Sequence, residues 1–132
     1  MDSSSSTALM PTQGQIQRQL SQQFQRLYRQ QLNHTPGKIT CQIADEKVML
    51  VIEDSVTKPE QLLVENGETD LAEQVRDDLS TALRPQIVAL IEGLLDRQAV
   101  DILTDATLAT GRTSIVIILS SPPELRPSAK DC

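Results

Sequence analysis

Tryptophan is absent from this chain, and its only other aromatic side chains are Phe24 and Tyr28. Its core must therefore be aliphatic, built from Leu, Ile and Val, which a length of 132 residues with 39% apolar content allows. The same poverty leaves no stacking platform for nucleic-acid bases. Glycine is scarce too, at five residues, which leaves little for a phosphate cradle. Neither G-x-x-x-x-G-K-[ST] nor G-x-G-x-x-G occurs, and G-x-S-x-G, H-E-x-x-H and the calcium-loop pattern are missing as well. The two cysteines, Cys41 and Cys132, make a poor disulfide framework and no zinc-ligand pattern, which fits a reducing compartment. The longest wholly apolar runs, Val48–Ile52 and Ile115–Leu119, have five residues each. A membrane-spanning helix needs roughly 20. The start, MDSSSSTALMPTQ, has neither a basic nor an apolar signal region. The expectation is a cytoplasmic protein with no direct membrane insertion.

What is there is acidic on balance. The net charge is −6, which repels nucleic-acid backbones and argues against a nucleic-acid partner. The charge is uneven: residues 1–44 carry +3 and residues 45–132 carry −9. A basic first segment could dock on the acidic remainder of its own chain or of a second copy.

Residues 1–12 are Ser-rich, and residues 122–132 are rich in proline. Both read as disordered tails around a single domain over 13–121. Within it, Ile16, Leu20, Phe24, Leu27 and Leu32 recur at helical spacing among nine glutamines, so 13–33 reads as an amphipathic helix. Two alternating runs, 38–44 and 47–53, form a hairpin across Asp45-Glu46; that pair is unusual for a two-residue turn, and a slightly longer loop is expected. Thr57, Pro59 and Glu60 mark the start of a short helix. A long helix opens at Thr69-Asp70, with a break or kink expected just before Pro85. Its apolar face is read through Leu71, Val75, Leu79, Leu83, Ile87 and Ile91. Two last strands, 99–106 and 113–119, flank TLATGR, where Gly111 supplies the freedom of a hairpin turn. An anion cradle there is disfavoured, because no helix starts after Gly111. The order α-β-β-α-α-β-β predicts an α+β fold, a four-stranded antiparallel sheet with helices packed on one face. Apolar surface left on the other face would need shielding, which favours a homodimer.

Candidate chemistry is sparse. His34 stands at a helix end with no Ser or Cys partner placed by sequence. Adjacent Asp77 and Asp78 diverge by about 100° on a helix, and Glu73 with its neighbours reads as a solvated face. Arg76 and Arg84, two turns apart, share a helix side and could bind an anion or a partner's carboxylate, with Arg112 as a third member. The blander reading pairs Arg76 with Glu73 and Arg84 with Ser80. No catalytic set, metal site or cofactor is expected; a small enzyme using Asp101, Asp105 or His34 is the least favoured alternative.

The order of motifs is informative at one further level. A helix ends in Pro36-Gly37, and KITCQIADEKVMLVIEDSVTKPEQLL follows. Next come a long helix with Arg76, Arg84 and Pro85, then VDILTD, TGR and IVIIL. Over residues 13–121 this resembles the bacterial MpsC-like family. The resemblance implies a small cytoplasmic component linked to a membrane system that generates membrane potential or moves cations and inorganic carbon. It carries no established catalytic residues to these positions. The reading that follows is a non-enzymatic accessory or regulatory protein, with a membrane protein as its partner; the alternative is a sensor of small anions or metabolites.

Overall fold

A computed structural model describes residues 10–126. The elements are α1 (Gln13–Leu32), β1 (Ile39–Ala44), β2 (Lys47–Ile52), α2 (Lys58–Glu65), α3 (Thr69–Leu95), β3 (Ala99–Thr107) and β4 (Arg112–Leu119). The two hairpins join through β2 and β4 into one antiparallel sheet of order β1-β2-β4-β3. The α+β class and the α-β-β-α-α-β-β order are those anticipated from sequence, with the helices on one face.

Local chemistry sets the ends of α1. Thr12 Oγ1 accepts from Gln15 N at 3.1 Å, and Gln15 Oε1 accepts from Thr12 N at 2.9 Å, a reciprocal cap. Asn33, left-handed at φ 50°, closes the other end. The glutamines between are not mere filler. Gln17 Oε1 accepts from Ile43 N at 3.0 Å, Gln13 Nε2 donates to Ile43 O at 2.6 Å, and Ser21 Oγ donates to Ile39 O at 3.3 Å. The helix thus covers part of the free edge of β1, whose bare backbone would otherwise invite another strand.

Three expectations are corrected. The first hairpin turns in two residues, since Ala44 pairs with Lys47, and Asp45 takes the required left-handed conformation at φ 55°. Asp tolerates that region better than most side chains. Of the break or kink expected before Pro85, the break does not occur: α3 runs continuously through Pro85. A proline costs about 3 kcal/mol in a helix interior. Buried Leu83 before it and Ile87, Ile91 and Leu95 after it share one core, and their packing offsets that cost. The first half of α3 also turns a different face inward: Ala72 and Arg76 are buried, whereas Leu71 is 48% exposed.

The core lies between the helices and the sheet. Ile16, Leu20, Phe24, Leu83, Ile87 and Ile91 meet Cys41, Val48, Leu50, Ile52, Ile115 and Ile117. Residues 122–126 lie against this body: Gln13 N donates to Arg126 O at 2.8 Å, Arg97 Nε donates to Pro122 O at 3.1 Å, and Leu125 packs on the core. The remaining parts of the expected tails, 1–9 and 127–132 with Cys132, lie outside the described residues.

Candidate functional site

Leaving β2, the chain turns at Asp54, left-handed at φ 50°, and runs inward through Ser55, Val56 and Thr57, all buried. Thr57 then starts α2, and its cap partner Glu60 is fully buried. A lone carboxylate could not remain ionised there without partners. Four bonds supply them. Oε1 accepts from Thr57 N at 3.0 Å, from Thr57 Oγ1 at 2.8 Å and from Arg76 Nη2 at 2.7 Å, while Oε2 accepts from Arg76 Nε at 2.8 Å. The two nitrogens of one guanidinium edge thus grip both carboxylate oxygens, the geometry arginine is shaped for. Arg76 Nη2 also donates to Ser55 O at 2.8 Å.

The network continues into the last hairpin. Gly111, at φ 74°, closes the β3–β4 turn, and its carbonyl accepts from Ser55 N at 2.8 Å and from Ser55 Oγ at 3.0 Å. Ser55 Oγ lies 2.7 Å from Thr113 Oγ1. Burial pushes the Tyr28 phenol above its usual pKa; the Arg76 charge and bonds to Arg76 and Thr113 oppose the shift, and the Glu60 charge adds to it. Tyr28, Ser55, Thr57, Glu60, Arg76 and Thr113 therefore form one polar corner. Among the described residues no buried side-chain nitrogen or oxygen lacks a partner. Beside the corner is a cavity of about 20 Å³, lined by Tyr28, Arg84, Thr104 and Thr113 among others. That is room for a single water.

The three arginines singled out from sequence are spent in three different ways. Arg76 is sealed in the corner, and its partner is Glu60, not the local Glu73, which is exposed. Exposed Arg84 donates to Ile102 O at 3.3 Å, not to Ser80. Arg112 pairs with Glu53 at 2.8 Å at an exposed site. His34 Nε2 donates to Asp54 O at 2.7 Å. Asp101 and Asp105 are exposed on β3, and Asp77 and Asp78 are exposed on α3. Among the described residues no three His, Cys, Asp or Glu side chains group so as to hold a metal ion. Cys41 is buried in β1, and its thiol is pushed up to about 12 by burial.

Sequence reasoning missed Glu60, Ser55 and Thr113 as parts of one site. One signal was available: Arg76 follows Ala72 by four residues and precedes Leu83 and Ile87 by seven and eleven, which puts a charge on the buried stripe. A charge there requires a buried counter-charge.

The fold and the corner define a class: a small two-layer α+β protein with a polar cluster sealed inside that joins α2, α3 and the last hairpin. Residues 12–121 match the family described as the Na+-translocating membrane potential-generating system (MpsC), and the chain belongs to that family. No curated protein and no solved structure matches the chain. Among the described residues, no helix is long and apolar enough to cross a membrane.

Proposed function

We propose that this protein is a non-enzymatic, cytoplasmic accessory or regulatory component of a membrane system that moves cations or inorganic carbon, and that it acts through protein–protein contacts as a homodimer. The observation that carries this reading is the family match over 12–121, whose description names a Na+-translocating system. The structure supports it in two ways. The charge of Arg76 is consumed by Glu60, so the corner serves as a lock between elements. Large apolar side chains remain outside instead, including Leu62 at 59% and Leu103 at 56% exposure. The test is a pull-down with the full chain from native membranes. Enrichment of one cation- or bicarbonate-transporting membrane protein is the expected result. Substrate turnover by the purified chain, lost in Asp101→Asn, would overturn the reading.

A second reading, a sensor of small anions, has one observation in its favour. Arg84 is exposed, holds one long hydrogen bond, and lines the small cavity beside Tyr28. An anion that raises the thermal midpoint of the wild type and leaves Arg84→Ala unmoved would establish it.

A further inference from the structure

The helices occupy one face of the sheet, and the strand registers define what stands on the other. Three rows cross it: Thr40, Val51, Ser114 and Asp105; Gln42, Met49, Val116 and Leu103; Ala44, Lys47, Ile118 and Asp101. Its centre is apolar, with Met49, Val51, Val116, Ile118 and Leu103 contiguous across β2, β4 and β3. Its charges lie around that centre: Lys47 on β2, both aspartates on β3, and, one row past Ser114, Arg112 of β4 paired with Glu53. Growth of the sheet past β1 is obstructed by the Gln13, Gln17 and Ser21 side chains on that edge.

We infer that two copies of this chain pair face to face through this helix-free surface, with the two-fold axis parallel to the strands, so that β1 and β2 of one copy lie over β3 and β4 of the other. The inference rests on the homodimer reading and specifies its interface. Sheets stacked this way sit about 10 Å apart with their strands within about 30° of each other. Two such two-fold arrangements exist, and charge distinguishes them. An axis across the strands lays β3 over β3 with the rows reversed, so Asp101 of each copy faces Asp105 of the other, and the acids repel. An axis along the strands lays β3 over β1. Asp101 then stands over Ala44 of the second copy, with that copy's Lys47 on the adjoining strand, about 4.8 Å to the side. Met49 then meets the second copy's Val116 at the centre. Lys47 is available for the exchange, because its partner Glu46 is an exposed neighbour in the turn.

The experiment is sedimentation of the full chain across a concentration series, with circular dichroism to confirm folding. Wild type is expected to be a dimer at tens of micromolar. Val116→Asp should weaken association by roughly a hundredfold or more, as a charge placed at an apolar interface centre does. Leu103→Asp, at a site already 56% exposed, should weaken it without loss of fold. Lys47→Asp and Asp101→Lys should each weaken the dimer, and the double variant should recover it. A monomeric wild type overturns the homodimer reading and this inference with it. A dimer unmoved by both Val116→Asp and Leu103→Asp overturns the inference alone. Charge variants that weaken association singly and are not rescued together overturn the proposed axis.

Discussion

The two halves of α3 hold the molecule together by different physics. In the second half, Leu83, Ile87, Ile91 and Leu95 press on an aliphatic sheet face and on Leu20 and Phe24 of α1. That attraction is non-directional, so what matters is volume and the exclusion of water. In the first half, Arg76 holds Glu60 and Ser55 O through bonds with fixed directions. A ridge of branched carbons can give a little when one side chain changes. A buried ion pair cannot, because the survivor keeps its charge and loses its partner.

The largest effect should come from breaking that pair. Arg76→Ala is expected to cost about 3–5 kcal/mol in urea unfolding, since it leaves the Glu60 carboxylate buried alone. Replacing both partners, Glu60→Leu with Arg76→Met, should recover most of the loss, because matched apolar side chains can fill such a site. If Arg76→Ala costs less than about 1 kcal/mol, the corner is not a lock and the contrast fails. Alkaline pH probes the same boundary from the other side. Cys41 has its pKa raised by burial from 9.0 to about 12, and Tyr28 is raised in the same direction. Both groups hold their protons longer when folded, so the folded state binds more protons than the unfolded one above pH 9. Stability is then fully present below pH 9 and should fall as pH rises from 9 towards about 12. Denaturation midpoints should show a shallower alkaline decline in Cys41→Ala than in wild type; parallel curves would contradict it. In the aliphatic half, Ile91→Val should cost only about 0.5–1.5 kcal/mol by thermal unfolding. Smallest of all is a gain. Gly93 sits in the last turn of α3 with open space where a Cβ would go, so Gly93→Ala should stabilise by about 0.5 kcal/mol in the same assay.

How legible each half was follows from the same contrast. The stripe Leu83, Ile87 and Ile91 could be read directly, because apolar side chains at helical spacing announce their face. In the first half that rule chose Leu71, which is exposed, over Ala72 and Arg76, which are buried. Scoring apolarity alone cannot see a charge that goes inward with its partner. The Glu60 partner lies 16 residues away on a different helix, and the choice of Glu60 over Glu73 depends on how α2 folds back on α3. The glutamines of α1 are a parallel case. Their helical stripe was visible, but that Gln13 and Gln17 would cap the β1 edge required knowing which strand lay beside them.

By itself the sequence determined the elements and their order, because periodicity, caps and turn residues act over a few neighbours. It determined the aliphatic core, because almost no aromatic side chains were available to build another. It carried the family through the order of its turns and strands. The tertiary structure alone decided which charges are consumed inside and which stay outside. It also decided that β2 pairs with β4, so that Met49, Val51, Val116, Ile118 and Leu103 gather on one open face. Those outcomes depend on contacts between residues far apart in the chain, whose partners are chosen by packing and desolvation.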